Sequence, residues 1–205
     1  MRPRIAFMTP VLLACLGAAA LFPTARAQDK TSAAADDAAW FAVDPVHSSV
    51  IFGINHMGVT TFYGRINGPT GEFQLSHDTP EASSFTVSVK AENVDTNYEG
   101  RDQHLKSNDF FDAKQFPDIT FKSTAVTRSG KSTFAVTGDL TLHGVTRSID
   151  IVVEHIGTRQ TGRGVKSGFT TNFTIKRSDF GMTFMARALG DEVTLMIGIE
   201  GVKKN

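Results

Sequence analysis

TFAVTGDLTLHGVTRSIDIVVE, residues 133–154, decides the fold. Phe134, Val136, Gly138, Leu140 and Leu142 alternate with Thr133, Ala135, Thr137, Asp139 and Thr141. Ile149, Ile151 and Val153 then alternate with Ser148, Asp150 and Glu154, interrupted by Val152. A period of two marks half-buried strands. Only His143-Gly144 and a few flanking residues join the two runs. A parallel crossover needs about a dozen residues or more, so these strands are antiparallel neighbours.

The same pattern extends in both directions. Val50, Phe52, Ile54 and His56 share a face, as do Phe85, Val87 and Val89. Ile119 and Phe121 open a strand whose face is expected to continue through Ser123 and Ala125. Phe169, Thr171, Phe173 and Ile175 form another set, and Val193, Leu195, Ile197 and Ile199 the last. Turn signals separate them at Asn67-Gly68-Pro69, Ser129-Gly130, Gly162 to Gly164 and Gly190-Asp191. The count is about eight to ten strands, each with one apolar face to hide; a sandwich and a closed barrel both do this. The barrel is favoured because closure removes sticky edges, and because one helix is too little to cover an open sheet.

That helix is expected in TNYEGRDQHLKSNDFFDAKQFPDITF, residues 96–121. Thr96 with Glu99 reads as a capping box, with Asn97 as the alternative cap. Arg101, His104 or Leu105, and Asn108 recur at helical spacing. Pro117 disfavours helix at Phe116, and a new strand begins at Ile119.

The chain has 205 residues. Arg2 and Arg4, an apolar stretch from about Ile5 to Phe22, and Ala25-Arg26-Ala27 have the anatomy of a secretory signal peptide over residues 1–27, cleaved between Ala27 and Gln28. A membrane anchor is the second reading, although Pro10 and Pro23 break the stretch. A lipoprotein site at Leu12-Leu13-Ala14-Cys15 is the third. Residues 28–39 are small and polar and read as a flexible tail, followed by one domain over residues 40–203. Cleavage would remove Cys15, the only cysteine, so the domain would hold itself by its core alone. It would also take three arginines from 21 basic residues, leaving 18 against 21 acidic, a balance of −3. That gives no footprint for nucleic acid, and the mature chain is expected to be soluble.

Catalytic and metal signatures are weak. His47, His56, His77, His104, His143 and His155 form none of the short spacings metal sites use. A fold that gathered His47, His56 and His104 is the one route to a centre. Asp102 and His104, two apart on a helix, point in different directions. Gly130-Lys131-Ser132 lacks the upstream glycine of a phosphate loop, and Gly162 to Gly168 has the wrong spacing for a dinucleotide fingerprint. Arg177-Ser178-Asp179-Phe180-Gly181 reads as a strand end running into a turn that could hold an Arg–Asp interaction.

Several segments together resemble a known family. Asp44-Pro45-x-His47-Ser48, Arg101-Asp102-x-His104-Leu105, Asp109-Phe110-Phe111-Asp112, Phe116-Pro117-x-Ile119-x-Phe121, Gly138-x-Leu140-Thr141-Leu142-x-Gly144-Val145-Thr146 and Arg177-Ser178-Asp179-Phe180-Gly181 match, in order, the YceI-like family of secreted lipid- and polyisoprenoid-binding proteins. The resemblance implies a lipocalin-like antiparallel β-barrel of about eight strands with one short α-helix packed on it. It also implies a tunnel for the prenyl chain of a quinone or polyprenyl phosphate, with no cofactor beyond that bound lipid. Transient membrane contact is expected, the weak catalytic signatures give no enzyme, the signal peptide gives a periplasmic or secreted location, and the sequence does not choose between monomer and homodimer. An enzyme acting on such a lipid, and a filled-barrel stress or interaction module, are the alternatives.

Alternation selects Phe52, Ile54, Phe85, Val87, Phe111, Phe121, Phe134, Val136, Leu140, Phe169, Phe173, Leu195 and Ile197 as candidate lipid contacts. His47, His56, Arg101, Asp102 and His104 are the candidate head-group or structural polar residues. The 14 phenylalanines left after cleavage suit an apolar guest, but the same faces would serve a filled core, which composition alone favours slightly. A single bulge reverses any such assignment.

Overall fold

A computed structural model describes residues 39–204. The proposed signal peptide and the tail as far as residue 38 lie outside the described residues. Ala39, assigned to the tail from sequence, packs against the barrel core.

Eleven strands follow in order: β1 (Trp40–Val43), β2 (Ser49–His56), β3 (Thr60–Ile66), β4 (Thr70–Gln74), β5 (Ser84–Lys90), β6 (Val94–Asp95), β7 (Asp118–Arg128), β8 (Thr133–Leu142), β9 (Val145–Thr161), β10 (Gly164–Lys176) and β11 (Leu189–Lys203). All pairings are antiparallel. Eight of the strands close a ring, β1-β4-β5-β7-β8-β9-β10-β11 and back to β1. The fold is thus mainly β, a lipocalin-like barrel with, among the described residues, one short α-helix, α1 (Glu99–Lys106). The 133–154 hairpin is in place, with Leu142 opposite Val145. His143 and Gly144 take φ of 50° and 72°, the left-handed pair that a two-residue hairpin turn demands.

The ring is not uniform along its axis. β1 and β2 succeed one another on the same edge of β11: Phe41–Val43 pairs with residues 201–203, and Ser49–Ile54 with residues 193–198. β3 and β6 continue outward from β2. The barrel therefore has one end where the eight strands meet side by side and one where β2, β3 and β6 leave the ring as a flap.

The side-by-side end is packed solid. Phe41, Phe73, Phe85 and Phe134 are each at most 1% exposed. Phe41 and Phe73 stack at 5.3 Å, and the edge of Phe169 meets Phe73 at 5.1 Å and Phe85 at 5.0 Å. A glycine makes room for this cluster: a Cβ on Gly201 would lie 2.6 Å from the Phe73 ring.

Several local expectations are corrected. The face of β7 does not run on through Ala125, because the register shifts between Ser123 and Ala125. This bulge exposes Ala125 and buries Val126, and the Ser123 hydroxyl accepts the Phe85 amide at 2.9 Å. The capping box does not form either. Tyr98 is the N-cap of α1, without a side-chain cap bond. Thr96 lies two residues further out, buried, donating its amide and its hydroxyl to Asp102 Oδ1. Asn97, the alternative cap, takes a left-handed φ of 60°. Asn108 falls beyond the helix, which ends at Lys106.

At the packed end His77 Nε2 and His155 Nδ1 lie 2.8 Å apart. Arg128 donates to the His77 carbonyl, and His155 Nε2 lies 3.2 Å from the hydroxyls of Thr158 and Ser167. Burial, reinforced by His77, pushes the His155 pKa below its ordinary 6.5. Such an imidazole favours the fold while neutral: the stabilisation is complete above the ordinary pKa and is lost as pH falls through the folded value. Urea midpoints are therefore expected to drop between pH 7.5 and pH 5.5, with a smaller drop in His155→Gln. Equal slopes in both proteins would assign the acid sensitivity to other groups.

Candidate functional site

Above the phenylalanine cluster the barrel holds a cavity of about 460 Å³, in the range typical of small-molecule sites. Phe85 and Phe169, on opposite sides of the ring, touch across the bore and form its floor. Its walls rise along β5, β7, β8, β9, β10 and β11 to the flap, where Val50, Phe52, Ile54, Phe62 and Ile66 face inward. Glycine again sets the shape. Gly64 sits opposite Phe52, and a Cβ there would lie 2.3 Å from the Phe52 ring. Gly138 makes room for Phe121 in the same way, at 2.4 Å.

The mouth is built by α1 and two loops. Arg101, His104 and Leu105 reach the cavity from α1, with Phe110 and Phe111 from the segment after it and Met182 and Met185 from the loop between β10 and β11. His104, Phe110 and Phe184 pack edge to face with one another at 5.0–5.4 Å, joining the helix to that loop. The Met57 amide donates to the Ala188 carbonyl at 2.7 Å, tying the β2–β3 turn to the same loop. Met57 and Met185 both take left-handed φ near 55°. With Val59 they leave an exposed apolar rim.

All the sequence-selected apolar residues line this cavity except Phe134 and Val136. Those two lie on the expected face of β8 but below the floor, where they are 0% and 1% exposed within the packed core. Alternation gives the face of a strand and carries no depth.

The polar candidates divide. Arg101 places its guanidinium 4.3 Å over the Phe62 ring, in cation–π range. It donates to the Thr96 hydroxyl at 2.8 Å and carbonyl at 2.6 Å. Asp102 holds Thr96 from the other side and does not reach the cavity, so the two residues brace the start of α1 through a shared threonine. His104 lies 2.8 Å from Asp109 and borders the cavity, as does His56 at the end of β2.

His47 is elsewhere, with Asp44 at 2.8 Å. Asp44, His47 and Glu200 bring ligand atoms within 4.8 Å of one another. The Lys166 ammonium already serves that cluster, 2.5 Å from Glu200 and 3.6 Å from Asp44. The hydrogen bond from His47 lowers the Asp44 pKa, and that to Glu200 raises Lys166. His47 thus does not join His56 and His104 at the cavity.

From sequence Arg177 is read only as part of a strand end running into a turn, and not as a cavity residue. It begins a 3₁₀ turn (Arg177–Phe180), is 4% exposed and borders the cavity. Its guanidinium donates to the carbonyls of Met182, Phe184, Gly190 and Leu189 at 2.7–3.4 Å, not to Asp179. Burial lowers its pKa, offset by the charge of Asp191. Asp191 itself accepts from the Ser178 amide and hydroxyl. The signal lay in the run Arg177-Ser178-Asp179-Phe180-Gly181, which sets an arginine between the apolar Ile175 and Phe180.

The family model described as the YceI-like domain matches residues 41–201. The chain belongs to the YceI-like family. A UPF0312 protein of Vibrio cholerae is 38% identical over 173 residues, 83% of this chain and 90% of that one. A UPF0312 protein of Azotobacter vinelandii is 36% identical over 159 residues, 77% and 83% of the two chains. Among solved YceI-like structures, the Campylobacter jejuni YCEI protein aligns with a TM-score of 0.65 at 29% identity, covering 74% of this chain and 90% of that one. BcnA of Burkholderia cenocepacia (TM-score 0.70, 23% identity, 77% and 98%) shares the fold. So does a polyisoprenoid-binding domain from Saccharophagus degradans (0.61, 14%, 82% and 100%).

Proposed function

We propose that this protein binds an isoprenoid amphiphile, of quinone or polyprenyl phosphate type, and sequesters or carries it in the periplasm or outside the cell. The observation that carries this is the cavity itself: an almost wholly apolar bore, blind at Phe85 and Phe169 and bordered by polar side chains at its mouth. The ligand class of the Saccharophagus domain is extended to this chain on that ground, and the location rests on the N-terminal sequence pattern. A barrel filled by its own side chains, the interaction-module reading, does not fit the cavity. We read the protein as a binding protein and not an enzyme: the lining is almost wholly apolar, and of the two histidines that border it His104 is held by Asp109.

The energetics suit carriage. Each buried methylene gains about 0.8 kcal/mol relative to water, but a bilayer offers the same gain. The preference between tunnel and membrane is therefore small, and loading and unloading both remain accessible. The rim of Met57, Val59 and Met185 is the surface we assign to membrane contact.

Organic extraction of the gently purified protein is expected to yield a prenyl lipid by mass spectrometry. Delipidated protein should take up a prenyl quinone from vesicles, more slowly but to the same final occupancy in a Met57→Ser, Val59→Ser variant. No lipid on extraction together with no uptake of added quinones or polyprenols would remove the binding function; equal uptake rates would remove the rim.

A further inference from the structure

The floor of the cavity carries a polar group with nothing to bind. Thr171 lies on β10, one inward position above Phe169, between Val153 of β9 and Ile197 of β11. It lines the cavity and is 5% exposed. Among the described residues its Oγ1 is the one buried side-chain oxygen or nitrogen without a hydrogen-bond partner. Its cross-strand neighbours Val153 and Ile197 are apolar, and the strand carbonyls beside it belong to the sheet ladder. A single water there would fall short of the two to four partners a buried water takes. An unsatisfied hydroxyl is a standing cost to the fold, and valine has the same shape without it.

The mouth presents the opposite picture. Arg101 is engaged with Thr96 and the Phe62 ring, His104 with Asp109, and Arg177 with four carbonyls. These polar side chains each already meet a group of the protein, whereas the hydroxyl at the floor meets none. No charged side chain stands beside Thr171 on the neighbouring strands, so a phosphate placed there would be a buried, unpaired charge.

Building on the binding function proposed above, we infer that the ligand enters head first and carries an uncharged oxygen, a phenol, alcohol or quinone carbonyl, that hydrogen-bonds Thr171 on the Phe85–Phe169 floor while its prenyl tail runs to the mouth. Thr171 is then a specificity contact that selects oxygen-headed isoprenoids over polyprenyl phosphates.

Delipidated wild-type, Thr171→Val and Thr171→Ser proteins titrated with geranylgeraniol, geranylgeranyl phosphate and phytane test this. Wild type is expected to bind the alcohol more tightly than the hydrocarbon. Thr171→Val should lose about tenfold in affinity for the alcohol, the worth of one buried hydrogen bond, with phytane unchanged. Thr171→Ser should keep most of the preference. The same Thr171→Val protein without ligand should melt at a higher temperature than wild type, since it sheds an unpaired hydroxyl; a structural hydroxyl would move it the other way. Unchanged alcohol affinity in Thr171→Val, a lowered ligand-free melting temperature, or a wild-type preference for the phosphate overturns the proposal and leaves lipid binding standing. Failure of wild type to bind any of the three probes overturns the binding function and this inference with it.

Discussion

Replacing Phe73 with alanine is expected to lower folding stability by about 3–5 kcal/mol, the range for removing a large aromatic from a rigid core. Phe73 is 0% exposed and meets Phe41, Phe85 and Phe169, all within 6.4 Å of its ring centre. The site has little means of collapse. Gly201 already supplies the backbone recess that accepts the ring, and the surrounding strands are fixed by ladder bonds on both sides. Stability measured by urea unfolding at neutral pH checks the value. Phe173→Ala, in the cavity wall, is expected to cost about 1–2 kcal/mol, because part of that ring already borders a cavity. Equal losses at the two positions would contradict the division into a solid end and a hollow one.

The second large effect is at Arg177. Arg177→Met keeps much of the length and apolar stem but removes every donor, leaving the carbonyls of Met182, Phe184, Leu189 and Gly190 to find others. An unsatisfied buried acceptor costs about 1–3 kcal/mol, and relaxation of the loop toward water returns part of that. A net loss of about 3 kcal/mol is expected. Arg177→Lys should be little better, since an ammonium cannot reproduce the planar fork. Met182 and Met185 border the cavity from this loop and Leu189 from the start of β11, so proteolysis of the loop should accelerate and prenyl-quinone affinity should fall together. Loss of stability with unchanged affinity and unchanged cleavage would show that the arginine holds the barrel and not the mouth.

Much of this was legible in residues 133–154. A short His-Gly connection between two alternating runs fixes an antiparallel pair, and the positive φ of His143 and Gly144 is what such a turn requires. The walls were legible for the same reason, since a period of two names the inward face directly. Three things were not. Depth along the bore was hidden, because Phe134 and Leu140 share a face of β8 and only the tertiary position of the Phe85–Phe169 contact separates them. The bulge near Thr124 was hidden, because an extra residue in a strand has no composition of its own. The roles of Thr96 and Arg177 were hidden because each satisfies partners brought close by folding. Thr96 resembled a helix cap and instead became the anchor shared by Arg101 and Asp102.

The contact between Phe85 and Phe169 also makes the barrel a gauge of chain length. A prenyl chain entering from the helix side stops at those rings, so every isoprene unit beyond the distance to the mouth must project past Met57 and Met185. Short chains would be swallowed whole and shielded from enzymes and oxidants, whereas long ones would trail an end that stays anchored in a bilayer. Homologues that placed smaller residues at these two positions would accept longer chains without altering anything at the entrance.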